Sequence, residues 1–407
     1  MPDDVKPEDK PERAAPRAVG ATTASHQPRS RGRLLALLGL IAAVAVGVWL
    51  LGPKLFGGPK QLADYTGEGK EDIIVEVHPG DSGSVIAQDL VDKDVIADVG
   101  MFVGAASGNS ELAAIQPGYY KLRTQIPAAT AVQKLTDPES RVGKLVIPEG
   151  KQLDDITPIG AGEVNPGIFT LIADASCVDL NGTKKCLSAK ELKAAAEEGT
   201  LQSLNVPEWA VKGAGVMGQS HRRLEGLIAP GTWNINPSSS AKEVLSKLVG
   251  DSGEQYVKGG ILDAAKGLNI SPYEVLIVGS LVQKEAQPAD FAKVARVIYN
   301  RLASDYDRLE FDSTVNYPLD RQEVATTDTD RHTETPWNTY AKAGLPATPI
   351  CSPGAEALKA AEQPAAGDWL YFVTIDDEGT TLFTSDYQEH LANRDKALDS
   401  GFLNSGR

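Results

Sequence analysis

Glu285 is the residue of this chain whose setting could alter its chemistry. Val278, Leu281, Val282 and Glu285 fall at i, i+3, i+4 and i+7, so a helix here sets a carboxyl on the stripe otherwise given to its core. A carboxyl held against apolar side chains has its charged form disfavoured. Its pKa rises, and it can carry a proton near neutral pH as a general acid must. The plainer reading is a solvated glutamate at a helix end, paired with Lys284 or Arg301. Other chemistry is thinly supplied. The five histidines, His26, His78, His221, His332 and His390, are scattered, and they form no zinc-like spacing with the three cysteines. No metal site is expected. Cys351 has Ile350 and Pro353 as neighbours and no His or Asp close in sequence to activate it, so it reads as a buried, inert thiol. Cys177 and Cys186 flank an Asn181-Gly182 turn signal that can fold the two sulfurs together, and a local disulfide is expected.

The helix that carries Glu285 has a clear start. Ser271-Pro272-Tyr273-Glu274 combines an N-cap, a first-turn proline and a capping-box glutamate, and Gln287-Pro288 stops the helix after about Ala286. A second helix is expected from Asp290 as N-cap, with Phe291, Val294, Ile298 and Leu302 on one face. Ser352-Pro353 opens a third. Trp369 to Ile375 reads as a buried strand that Asp376-Asp377-Glu378-Gly379 turns back into Thr380 to Thr384. Residues 256–398 therefore read as an α+β domain with a helical lobe.

Upstream, residues 73–255 carry a weak internal duplication. Ile74 to Gly80 resembles Leu145 to Gly150, each an apolar strand ending in a Gly turn. Pro117-Gly118-Tyr119 leading to Ala131–Leu135 resembles Pro230-Gly231-Thr232 leading to Val244–Leu248. Each unit pairs short strands with one or two helices, and the segment around Cys177 and Cys186 lengthens the second. Residues 52–72 read as a linker. Leu34 to Leu51 is a run of eighteen uncharged residues, which as a helix spans roughly 27 Å of hydrocarbon. It exceeds a signal-peptide core and lacks a small-x-small cleavage site, so it reads as a single membrane anchor. Arg29, Arg31 and Arg33 precede it and keep residues 1–33, a disordered tail, in the cytoplasm. The rest faces outward. At 407 residues and 42% hydrophobic, the chain can hold two or three domains. Its formal net charge of -15 excludes a nucleic-acid partner.

Ser280-Leu281-Val282-Gln283-Lys284-Glu285-Ala286, followed by Val294 to Leu302 with Tyr299-Asn300-Arg301, resembles the signature of the endolytic murein transglycosylase family, the YceG-like or MltG proteins. Leu224-Glu225-Gly226, Pro230-Gly231-Thr232, Asp312-Ser313-Thr314-Val315, Asn338-Thr339-Tyr340, Gly344-Leu345-Pro346, Pro349 to Gly354 and Leu370 to Val373 follow the same pattern in order. The resemblance covers roughly residues 70–398 and implies LysM-like modules for the duplicated part. It further implies a lytic reaction on peptidoglycan glycan strands: an acid, Glu285 by position, protonates the bond between N-acetylmuramic acid and N-acetylglucosamine, and the muramyl 6-hydroxyl closes on C1. No metal or organic cofactor is required. Tyr299, Asn300, Asp312, Asn338 and Tyr340 are candidate sugar contacts, and Trp337 a stacking surface; helix packing and loop satisfaction are their alternative roles. Departures are Gln283 where the family usually has Glu, Ser313 where it commonly has Pro, a divergent segment at 317–334, and Thr381 where a His is frequent. A second function class is a non-catalytic peptidoglycan-binding or scaffolding protein of the cell-wall synthesis machinery, although a pure binder gains nothing from a desolvated carboxyl that costs stability. The arginine cluster makes one outcome checkable: a reporter that works only outside the cytoplasm is expected to be active when fused after Arg407 and silent when fused at Met1. The reverse pattern would contradict the orientation.

Overall fold

The computed structural model describes residues 63–401, apart from 108–114, 159–161, 307, 320 and 323–325. The expected tail and membrane run lie outside the described residues. Among the described residues no helix is long and apolar enough to cross a membrane.

The architecture is α+β, with helices around small separate sheets. Strand β1 (Asp72–Val77) pairs antiparallel with β2 (Gly118–Arg123), and β3 (Arg141–Val142) adds to the far side of β2. Between β1 and β2 come helices α1 (Gly83–Asp92) and α2 (Val99–Ala106), capped by Ser82 and Asp98, whose side chains accept from Val85 and Met101 N–H. Helix α3 (Ala128–Thr136) follows β2. Alternation along the strands sends Val75, Val77, Tyr120 and Leu122 inward, where Ile86, Leu90, Phe102, Val132 and Leu135 close a core of their own.

The second unit repeats the first strand pairing. Strand β4 (Lys144–Ile147) returns antiparallel to a later strand, Gly231–Asn234, with Ile147 opposite Gly231 as Val77 is opposite Gly118. Here the likeness stops. The core that begins at Leu145 runs without a break to Ala361. The boundary expected between residues 255 and 256 falls inside one nineteen-residue helix, Ala241–Gly259. Packing divides the chain near Gly143 instead, because the apolar residues of the second unit, among them Leu145, Ile147, Val244 and Leu248, share one core with the region that follows.

Within that second unit, α4 (Ile168–Ala175) leads to a hairpin of β5 (Val178–Leu180) and β6 (Thr183–Lys185), and α5 (Ala189–Glu198) follows. The hairpin turns on Asn181 and Gly182, both at positive φ, which is what a two-residue Asn-Gly turn demands. Cys177 and Cys186 are joined at its base. Its tip reaches the first unit: Asp72 N–H donates to Asn181 Oδ1 at 2.7 Å, and Asn181 N–H donates to Asp72 Oδ2 at 2.8 Å. Arg141 adds a 2.8 Å bond to Asn234 Oδ1. The strand Gly231–Asn234 is β7 and the long helix after it α6.

Helix α7 (Pro272–Glu285) begins with the expected capping box, Ser271 and Glu274 satisfying each other's backbone N–H groups. It is buried all round from Val275 to Val282, not along a single stripe. Helix α8 (Phe291–Leu302) starts one residue after Asp290, whose side chain makes no capping bond and instead lies 3.6 Å from Lys293. Asp290 thus holds the expected N-cap position without a side-chain capping bond; a short 3-10 turn, Pro288–Asp290, precedes the helix and delivers the chain already coiled. Next come α9 (Asp312–Asn316) and α10 (Ala355–Glu362). The terminal hairpin β8 (Tyr371–Thr374) and β9 (Thr381–Thr384) packs beside α11 (Tyr387–Asp399).

Helix α10 is capped by Gly354 rather than opened by Ser352-Pro353. The preceding segment is occupied elsewhere. Ile350 N–H donates to Ser280 Oγ at 3.0 Å, Ser352 N–H to Lys151 O at 2.8 Å, and Ser352 Oγ to Ile228 O at 2.6 Å. Gly150 N–H returns a 2.8 Å bond to Ser352 O. This stretch passes so close to Gly226, at φ 74°, that an added Cβ would lie 2.5 Å from Pro349 Cβ. Replacing Gly226 by Ala is therefore expected to destabilise the fold by about 2–4 kcal/mol, from strain at positive φ plus overpacking. A denaturant midpoint equal to wild type would show that the contact yields.

Candidate active site

Helix α7 leaves its buried surroundings at its last turn, and Glu285 is its final residue, half-buried. The helix interior fixes its direction, and α9 supplies its neighbours. Burial pushes the Glu285 pKa up to about 7. The Ser313 hydroxyl draws it down, the Asp312 charge raises it further, and the Ser313 amide and Arg301 lower it. The outcome is a carboxyl able to give and take a proton near neutrality.

Asp312 is itself firmly held. Its Oδ1 accepts from Tyr340 OH at 2.8 Å, Thr326 Oγ1 at 2.8 Å and Arg331 Nε at 3.2 Å, and its Oδ2 from Arg331 Nη2 at 3.1 Å. The Arg331 guanidinium also lies 5.1 Å over the Tyr340 ring. Burial raises the Tyr340 hydroxyl pKa, with Asp312 and Glu285 both adding to the shift. Glu285, Asp312 and Tyr340 thus form one electrostatic group.

The structure does not bring the other candidates to it as free contacts. Asn338 is fully buried, and its amide donates to the carbonyls of Asp330, Arg331 and Thr333 while its Oδ1 accepts from Tyr340 and Ala341 N–H. Those bonds fold the loop that carries Tyr340. Tyr299 OH donates to Ala361 O at 2.8 Å, and Asn300 Nδ2 to the carbonyls of Gly367 and Trp369. Both fasten α8 to the chain after α10. Trp337 is 6% exposed, its ring edge-on to Tyr317 at 5.1 Å and its indole N–H on Thr348 Oγ1. These four read as staples, a role that residue type alone could not separate from sugar contact.

Three residues gain importance from the structure. Ser313, one of the family departures, lies near enough to the Glu285 carboxyl to lower its pKa, although its buried hydroxyl makes no hydrogen bond. Gln283, another, faces away and accepts Gly354 N–H at 2.8 Å, so a neutral side chain suits a buried backbone donor. Glu225 is 1% exposed, and burial pushes its pKa up to about 7. Only its place in the Leu224-Glu225-Gly226 motif hinted at it. Cys351 is fully buried, its thiol pKa pushed up to about 12 by burial, as fits an inert sulfur. Among the described residues no three His, Cys, Asp or Glu side chains are placed to hold a metal.

A cleft of about 900 Å³ lies between Pro148-Glu149, α6, Pro288 to Ala292 and α10. Glu285 does not line it, although Pro288 begins its wall three residues further on.

The model of the YceG-like family matches residues 75–396. The endolytic murein transglycosylase of Bacillus subtilis strain 168 is 27% identical over 361 residues, 86% of this chain and 92% of that protein. The endolytic murein transglycosylase of Streptococcus pneumoniae strain D39 is 26% identical over 298 residues, 69% of this chain and 50% of its own length. The chain thus spans about half of the streptococcal protein. A crystal structure of a yceG-like protein from Listeria monocytogenes superposes with a TM-score of 0.47 at 27% identity, over 80% of this chain and 99% of that one.

Two carboxyls whose folded pKa values lie above their unfolded ones set the sign of a pH effect. The fold favours their neutral forms, so their contribution is complete below the unfolded pKa and lost as pH rises through about 7. A variant with both Glu225 and Glu285 changed to Gln is expected to lose less thermal stability than wild type between about pH 5 and 8. Parallel melting curves for the two proteins across that range would contradict the raised values.

Proposed function

The chain belongs to the YceG-like family, and we propose that it is an endolytic murein transglycosylase with Glu285 as its proton-transfer group. The observation that carries the assignment is the setting of that carboxyl, pushed up to about 7 by burial at the end of α7. In its neutral form Glu285 protonates the glycosidic oxygen between N-acetylmuramic acid and N-acetylglucosamine as the C1–O bond breaks. In its charged form it then takes the proton of the muramyl 6-hydroxyl, whose oxygen bonds to C1. The proton is returned, no water is consumed, and the product carries a 1,6-anhydro end. A hydrolytic glycosidase needs a second carboxylate as base or nucleophile. Asp312 is the nearest one, and both its oxygens are engaged by Arg331, one of them also by Tyr340 and Thr326, which favours the lytic route. Tyr340 is the candidate that remains for sugar contact.

Three further readings support a role at the membrane. The run Leu34 to Leu51 is proposed as a single-pass anchor with a cytoplasmic N-terminus, and a local disulfide fits an extracytoplasmic fold. The two strand pairs that share a Gly-facing register are proposed as LysM-like modules. An anchored enzyme of this kind is placed to cut nascent strands near the bilayer. Changing Glu285 to Gln is expected to lower the release of anhydro-muropeptides from purified sacculi by about 10²–10⁴-fold, with the fold retained. Mass spectrometry of the digest reads it, and near wild-type release would remove Glu285 from the mechanism.

A further inference from the structure

Glu225 is a second buried carboxyl, and the chemistry at Glu285 does not use it. It follows the short 3-10 turn His221–Leu224. Its Oε2 accepts the Tyr317 hydroxyl at 2.7 Å and Leu153 N–H at 3.2 Å, while its Oε1 is buried without a hydrogen-bond partner. Tyr317 directly follows α9. Its own N–H donates to Ser313 O at 3.0 Å, so one helical turn joins the residue on Glu225 to the residue at the Glu285 carboxyl. Tyr317 is 1% exposed, set edge-on to Trp337 and covered by the Arg222 guanidinium at 4.7 Å.

We infer that Glu225 is a positioning residue: by fixing the Tyr317 hydroxyl it seats α9, and so sets where Ser313 and Asp312 stand against the Glu285 carboxyl. The inference rests on the catalytic reading of Glu285. Packing alone does not account for a carboxyl here, because burying one costs stability that an apolar side chain of the same size does not. Nor does an ion pair. Arg222, the cation beside it, is turned to Asp154 at 3.2 Å, and Asp154 also holds His221 at 2.8 Å and Lys193 at 3.4 Å. The other groups that face Glu225 are the Tyr273 hydroxyl, which has no hydrogen-bond partner, and the Cys351 thiol. The task left to it is to accept a hydrogen bond. With a pKa near 7 it is present in both forms around neutrality, and each offers Tyr317 an acceptor.

The test uses the full chain on purified sacculi, with kcat, KM and the pH dependence of the rate measured for Y317F, E225L, E225Q and, as reference, E285Q. Y317F removes one buried hydroxyl and keeps the ring against Trp337 and Arg222. It is expected to lower kcat about tenfold at unchanged KM and to displace the alkaline limb of the rate, since Ser313 and Asp312 both bias the Glu285 proton. E225L is expected to do the same, and E225Q, which keeps an acceptor for Tyr317, to restore at least half of the wild-type rate. A merely structural bond would lower the melting temperature and leave the limb in place. Y317F with wild-type kcat and an unmoved limb overturns the proposal, as does E225Q falling as far as E225L. If E225L does not fold, Y317F against E225Q decides. An inactive E285Q beside an unaffected Y317F would sink this inference alone, whereas an active E285Q would sink the catalytic reading on which it stands.

Discussion

The complete burial of α7 is the constraint on which the rest of the structure depends. A helix apolar on every side cannot rest on one layer, so it recruits covers from distant parts of the chain: the helices around it, α10, and the Pro349 to Gly354 segment threaded across it. Gly279 marks how close one cover comes, since a Cβ there would lie 3.3 Å from Leu358. Ser280 Oγ is matched to Ile350 N–H and Gln283 to Gly354 N–H inside this packing, whereas the buried Tyr273 hydroxyl is left without a partner. Held on all sides, the helix has no freedom to tilt. Its last residue therefore projects at a fixed place, as the proposed role of Glu285, giving a proton to one oxygen and taking a proton from another, requires.

The second condition is dielectric. Glu285 and Glu225 are both raised by burial, yet they differ in access: Glu285 is half-buried beside Ser313, while Glu225 is closed in by Tyr317 and Leu153. Of the two, Glu285 alone keeps some exposure. Asp154 illustrates the opposite case. Burial alone would raise it, but the hydrogen bond and charge of His221, with Arg222 and Lys193, draw it down to about 2. The fold thus sets three carboxyls apart with the same few ingredients of burial, charge and hydrogen bonding.

Much of this was legible in the sequence where local rules govern. The Ser271–Glu274 capping box, the Asn181-Gly182 turn with its cysteine pair, and the terminal hairpin depend on residues within a few positions of one another. Glu285 could be singled out because a carboxyl on an apolar helix breaks a periodic pattern. What was not legible depends on contacts over long separations. Asn338, Tyr299 and Asn300 look like sugar binders by type, and only the backbone carbonyls that meet them show otherwise. The stripe containing Val278 and Leu281 concealed a helix buried all round, because periodicity cannot count the layers above it. Nor could composition show that the second duplicated unit gives its core to the α+β region, since both units share the same strand pattern.

The hairpin closed by Cys177 and Cys186 has a mechanical consequence. The ladder of β1 and β2 ends at the pair Asp72 with Arg123. The residues before it are also fastened, Asp64 by Ala128 N–H and Lys70 and Glu71 by Thr124, so a pull on the preceding segment would break these bonds before it reached that pair. The hairpin tip grips this rung: Asn181 exchanges two hydrogen bonds with Asp72, and Lys121 lies 3.1 Å from the same carboxylate. A covalently closed loop thereby clamps the end of the ladder, and opening the small sheet from that end also requires freeing the hairpin tip.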